Sequence, residues 1–214
     1  MDEFQSEKEQ IDELKKWWKE NGNFVITGLA LGVLVLGGLG YWKNYKITQA
    51  ESASAIYEQL IQAVSTGNSD AARNFAGQLD QQYHGTPYAA QAGLALARLY
   101  VNDNEPAQAA NALQSVIDNA ADEHVVRIAR LRLAKVQLMQ DQPDAAIATL
   151  AAGDPGEFAP LYHEARGDAY AEKGEPGNAE REYQAALDSA TPGLLDRQFV
   201  EMKLNALGTA EPDA

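Results

Sequence analysis

NEPAQAANAL at 104–113, DQPDAAIATL at 141–150 and GEPGNAEREY at 174–183 are three versions of one pattern, and they decide the fold. Each begins at a turn signal followed by proline and runs on into alanine-rich helical periodicity, and successive copies are offset by 37 and 33 residues. A period of that size marks helix hairpins stacked into a solenoid. Ala109, Ala146 and Ala179 fall at one equivalent position, where a small side chain lets paired helices approach closely. A fainter copy, GNSDAARNFA at 67–76, extends the pattern toward the N-terminus, either as a degenerate repeat or as a cap.

The last unit resembles the tetratricopeptide family. Gly167, Tyr170, Gly174, Ala179, Tyr183 and Ala186 stand at the small, aromatic, glycine, alanine, aromatic and alanine positions of that motif, with Pro192 just beyond. Ala97, Tyr100, Ala109 and Leu113, then Ala134, Ala146 and Leu150, fill the corresponding places in the middle units. In the first hairpin, about residues 50–80, Leu60, Ala72 and Ala76 align without an aromatic signature. After Pro192, LLDRQFVEMKLNAL places Leu195, Phe199, Met202 and Ala206 at helical spacing, a final helix that would seal the stack. The closing GTAEPDA has no apolar anchor and is expected to be disordered.

Upstream of the repeats lies FVITGLALGVLVLGGLGY, 24–41, which carries no charge. As a helix rising ~1.5 Å per residue it covers roughly 27 Å, close to the ~30 Å hydrocarbon core of a bilayer. Trp17 and Trp18 on one side, and Tyr41, Trp42 and Tyr45 on the other, suit the headgroup zones, and Lys15, Lys16, Lys19, Lys43 and Lys46 close the ends. A cleaved signal peptide has a shorter apolar region. Glycines would each weaken a buried water-soluble helix by about 1 kcal/mol, and a lipid anchor needs a cysteine, which the chain lacks. A membrane-spanning helix is therefore expected. Lys8, Lys15, Lys16 and Lys19 precede it and only Lys43 and Lys46 follow closely, which puts the N-terminus in the cytoplasm and the remainder outside, in a bacterium the periplasm. The absence of cysteine suits an oxidising compartment.

Gly28 and Gly32 form a G-x-x-x-G, with Gly40 along nearly the same face: either a contact with another membrane helix or the ordinary small-residue content of an anchor. Before the anchor, Ile11, Leu14 and Trp18 share a helical face that Asn21-Gly22 interrupts. That segment is either a free or interface-lying tail or a docking site. The expected fold class is all-α: an N-terminal single transmembrane helix, then a tetratricopeptide-like α-solenoid of about four helix hairpins with a C-terminal capping helix. The expected boundaries are a cytoplasmic tail at 1–22, the transmembrane helix at 23–42, a linker at 43–49, the repeat domain at 50–207 and a disordered tail at 208–214.

The net charge of −14 is concentrated in residues 47–214, which hold 11 basic and 24 acidic side chains. Such a domain is a poor ligand for nucleic acid. His84, His124 and His163 are far apart and lack metal-ligand spacing, and there is no G-x-S-x-G, phosphate-binding glycine loop or H-E-x-x-H. Glu164 and Asp168 beside Arg166 read as a solvated helix face, and Arg127, Arg130 and Arg132 as partners in local salt bridges. No catalytic residue, cofactor or metal ligand is assigned, and no enzyme activity is expected.

The tetratricopeptide resemblance implies a protein-binding groove on the first helix of each hairpin. Carried over, its positions are Leu94, Arg98 and Val101, then Leu131, Lys135 and Leu138, then Glu164, Asp168 and Ala171, giving an apolar groove with two cations that turns acidic; the leucines are alternatively core. The family's asparagine and lysine set for a peptide carboxylate is missing. Over nearly its whole length the chain also resembles the YfgM family, on WWKENG at 17–22, the glycine-rich anchor, YW at 41–42, ESASAIYEQLIQAV at 51–64, LRLAKVQL at 131–138 and RGDAYAEKGE at 166–175. That resemblance implies a non-enzymatic ancillary subunit of the SecYEG translocon in the bacterial inner membrane, passing secreted proteins to periplasmic chaperones. The implied partners are the translocon itself, a PpiD-type chaperone and, through the cytoplasmic tail, a response regulator. The alternatives are a tethered scaffold for another envelope assembly machine and a structural homo-oligomer.

Overall fold

The structure, a computed structural model, describes residues 7–209. Every regular element among them is helical: α1 (Glu7–Ser65), α2 (Ser69–Tyr83), α3 (Pro87–Asn102), α4 (Pro106–Asn119), α5 (Glu123–Leu138), α6 (Pro143–Ala151), a 3-10 turn at Gly156–Phe158, α7 (Ala159–Glu172), α8 (Pro176–Ser189) and α9 (Arg197–Thr209). The chain divides into one unit up to Gln49 and a second from Ala50 onward.

In the first unit, α1 is the one helix among the described residues long and apolar enough to cross a membrane. Its most apolar window has a mean hydropathy of 2.0 and no part of it is buried. Two sequence expectations are corrected here. Asn21-Gly22 does not interrupt the helix, which runs on through both; the Asn21 side-chain amide donates to the Trp17 carbonyl one turn back at 3.0 Å and the Trp18 ring lies against Gly22. The expected linker at 43–49 is part of α1, so the anchor continues as helix into the repeat domain's first hairpin. Lys46 sits 4.2 Å from the centre of the Trp42 ring, an i, i+4 pairing that favours helix there.

The second unit is a stack of hairpins: the last turns of α1 with α2, then α3 with α4, α5 with α6, and α7 with α8. The repeat shows most plainly in its turns. Gly67, Asn104, Asp141 and Gly174 adopt φ of 70°, 59°, 57° and 72°, the left-handed conformation that ends a helix. The same two hydrogen bonds recur at each. Asn104 N–H donates to Val101 and Glu105 N–H to Tyr100, just as Asp141 does to Leu138, Gln142 to Gln137, Gly174 to Ala171 and Glu175 to Tyr170. Gly67 to Val64 and Asn68 to Ala63 repeat the arrangement in the first hairpin, which is therefore built like the others despite its missing aromatics. Proline then opens α4, α6 and α8, where its missing N–H has no intrahelical partner to lose.

Small residues set the packing distance. Ala109, Ala146 and Ala179 are wholly buried at equivalent places. Gly167 of α7 lies directly under the Tyr183 ring of α8. The apolar face of α9 differs from the one expected. Leu195 and Val200 are buried, joined by Leu204 and Leu207, whereas Phe199 and Met202 are exposed. The packed face follows i, i+4, i+7 from Val200, rotated from the spacing that the apolar residues alone suggest. Gly208 and Thr209 finish α9. The remainder of the expected tail, and residues 1–6, lie outside the described residues.

Candidate protein-binding groove

The first helices of the hairpins stand side by side, α3 against α5 and α5 against α7. Two adjoining depressions run across α1, α3 and α5. One, of about 350 Å³, is floored by Ala97, Val101, Leu113 and Val136 and edged by Arg98, Arg132, Lys135 and Met139. The other, of about 550 Å³, lies between Tyr57 and Val64 of α1 and Gln91, Leu94, Ala95 and Leu99 of α3, again with Arg98 and Arg132. Neither contains a carboxylate. Val64 of α1 and Met139, which line them, are exposed large apolar side chains.

Of the residues the sequence suggested for a groove, Arg98, Val101 and Lys135 line the first depression, and Leu94 and Arg98 border the second. Leu131 and Leu138 line neither. Leu131 is 9% exposed and packs with Ala134, Leu150 and Tyr162 in the core between α5, α6 and α7, and Leu138 lies against the same cluster. The reason is helical register: 131, 134 and 138 face the next hairpin, and 132, 135 and 139 face outward on the groove side. Arg132 and Met139 were missed for that reason. A signal was present, since Met139 shares a face with two cations, an unlikely composition for core.

Several of the domain's cations are paired with carboxylates of the same chain. Arg73 pairs with Asp103 and Glu105, Arg127 with Asp154 and Glu157, Arg166 with Glu182, and Lys173 with Asp144 and Glu175. Among the described residues, Arg98, Arg132 and Lys135 make no ion pair. The local salt bridges expected of the arginine cluster are present for Arg127 but, among the described residues, not for Arg130, whose guanidinium lies against Gly153, nor for Arg132, which turns to the groove.

At the far end of the stack the groove is closed. Glu164 and Asp168 are not a solvated pair but hold Lys203 of α9, at 2.8 and 2.7 Å, and Tyr183 donates its hydroxyl to Asp168 at 2.8 Å. Ala171 packs against the α8–α9 cluster. Burial alone would lower the Lys203 pKa; the hydrogen bonds to Asp168 and Glu164 outweigh it and hold the ammonium above its ordinary value. Burial and the neighbouring Asp168 carboxylate push the Tyr183 phenol up. These groups fasten the capping helix.

The histidines also serve local pairing. His163 Nδ1 lies 2.7 Å from Glu182, which Arg166 also contacts, and His124 meets Glu157, whereas His84 caps α2 in solvent. No group of three His, Asp or Glu side chains among the described residues is placed to hold a metal ion. On α1, an added Cβ at Gly28 or Gly32 would meet no atom within 4 Å, so that face is open.

A family model described as a tetratricopeptide repeat-like domain matches residues 15–209. The chain is 34% identical over 211 residues to the ancillary SecYEG translocon subunit of Escherichia coli strain K12, spanning 97% of this chain and 99% of that protein. It is 32% identical over 201 residues to the protein of the same name from Haemophilus influenzae, and 30% identical over 204 residues to that from Neisseria gonorrhoeae; in both cases 94% of this chain and 97% of the relative are covered. A long apolar helix set before stacked helix hairpins, together with full-length likeness at this level, makes the chain a membrane-anchored member of the tetratricopeptide repeat-like family of ancillary SecYEG translocon subunits.

Proposed function

We propose that this chain is an ancillary subunit of a SecYEG-type translocon whose repeat domain binds partner proteins through the α1–α3–α5 groove. The observation that supports it most is the groove itself: apolar floor, exposed Val64 and Met139, and three cations that make no ion pair among the described residues, on a chain whose relatives carry a translocon name over nearly their full length. Exposed apolar surface rimmed by polar groups is what a protein-binding site requires. The role is non-enzymatic. The N-terminus is cytoplasmic and the repeat domain periplasmic, where it helps pass emerging secreted chains to a PpiD-type chaperone, and the short tail before the anchor meets a cytoplasmic response regulator. Gly28 and Gly32 supply a close-packing face for another membrane helix.

Affinity isolation of the tagged full-length chain from native membranes in mild detergent tests this. The translocon subunits should co-isolate in amounts that exceed those of other inner-membrane complexes. Their absence, with another envelope complex enriched instead, would replace the translocon by that machine; recovery of the chain with itself alone would leave a structural homo-oligomer.

A further inference from the structure

We propose that the α1–α3–α5 groove selects partner segments that carry carboxylates among apolar side chains. The inference rests on the groove reading above and names the chemistry of its occupant. Arg98 and Arg132 border both depressions, so the positive charge lies between two apolar hollows, and Lys135 extends it along α5. In a domain where acidic side chains outnumber basic ones by 24 to 11, the groove lining holds no carboxylate. Elsewhere in the domain Arg73, Arg127, Arg166, Lys173 and Lys203 are neutralised by carboxylates of the same chain, whereas Arg130, Arg181 and Arg197 are scattered rather than gathered at either apolar hollow. Arg98, Arg132 and Lys135 are exposed and make no ion pair among the described residues, so they are open to carboxylates of a partner.

The match is to a short segment rather than to a polyanion. A nucleic-acid backbone would extend past three cations onto the acidic surface around them and be repelled within a screening length of roughly 8 Å at physiological salt. A protein segment places a few carboxylates on the cations and its apolar side chains over Val101, Leu113 and Val136 or between Tyr57 and Leu94. Burial of those side chains supplies affinity, and the cations supply selection and register.

The test uses the full-length chain in nanodiscs of uncharged phosphatidylcholine and three fluorescein-labelled peptides: one alternating leucine with aspartate and glutamate, its counterpart with asparagine and glutamine, and its counterpart with lysine. The acidic peptide should bind tightest, the lysine peptide weakest, and the preference should shrink as salt is raised. Arg98→Gln, Arg132→Gln and Lys135→Gln should each weaken acidic-peptide binding about 2- to 5-fold, the range of exposed charge pairs, and Arg98→Lys less. All three side chains are exposed, so these variants keep the fold, which circular dichroism verifies. Equal binding of acidic and neutral peptides, or none of the acidic peptide, overturns the proposal; tighter binding of oligodeoxythymidine than of the acidic peptide overturns it in favour of a polyanion. Peptide binding that loses its charge preference but is still blocked by Val101→Trp leaves the groove standing without acid selection. Binding indifferent to Val101→Trp removes the groove itself.

Discussion

Two helical glycines should respond to alanine with opposite signs. At Gly167 a Cβ would lie 2.4 Å from Cδ1 and Cε1 of Tyr183 and 3.1 Å from Cγ, far inside ordinary contact. The ring cannot swing away freely, because Tyr183 is 3% exposed and its hydroxyl is held by Asp168. Overpacking costs about 1–3 kcal/mol, and loosening the tyrosine's hydrogen bond about 1 more. The gain in helix propensity from glycine to alanine offsets about 1 kcal/mol of that. Gly167→Ala should therefore destabilise by roughly 1–3 kcal/mol, which for a domain of this size lowers Tm by about 3–10 °C. Gly77, inside α2, has no atom within 4 Å of the equivalent Cβ, so Gly77→Ala collects the propensity gain alone and should raise Tm by about 2–4 °C. Thermal unfolding of both full-length variants in detergent, followed by far-ultraviolet circular dichroism, separates them. Shifts of the same sign would refute the claim that α7 and α8 meet through a space only glycine fits.

Lys203→Met leaves Glu164 and Asp168 side by side without their cation and should cost about 1–3 kcal/mol. Because folding raises the Lys203 pKa, its contribution is complete below the unfolded lysine value of ~10.4 and is lost as pH rises through the higher folded value. The Tm gap between wild type and Lys203→Met should thus hold steady from about pH 7 to 9 and narrow only above that, and narrowing below pH 9 would contradict the pairing. Gly28→Leu combined with Gly32→Leu should reduce co-isolation with other membrane proteins, and unchanged yield would remove the glycine face as a contact. A reporter fused after Ala214 that works only outside the cytoplasm should be active; activity of a cytoplasm-only reporter at the same place would reverse the proposed orientation.

The repeat was legible because its turns are written in residue types with a fixed conformational meaning. Glycine, asparagine or aspartate at 67, 104, 141 and 174, with proline two residues on in the last three, specifies a left-handed helix end and a new start wherever it occurs. The groove was half legible. Spacing places residues on a common helical face, but which face looks outward depends on the crossing of the neighbouring hairpin, and a rotation of one residue moved Leu131 into the core and Arg132 out of it. The same ambiguity put Phe199 and Met202 in the expected seal of α9, where Val200 and Leu204 are found. Lys203 lies 39 and 35 residues from its carboxylate partners, so no local pattern announces that pairing. Asn21-Gly22 reads as a break on local propensity, yet a helical glycine costs only about 1 kcal/mol and α1 runs through it.

The central claim is that partners enter the groove between α1, α3 and α5. Its most direct measurement is photocrosslinking in living cells from benzoyl-phenylalanine placed singly at Val101 and Met139 in the groove, and at Asn111 and Glu180, which are exposed on the second helices α4 and α8. Translocon subunits or a PpiD-type chaperone should be captured from Val101 and Met139 and not from Asn111 or Glu180. Capture from Asn111 or Glu180 with a silent groove would contradict it.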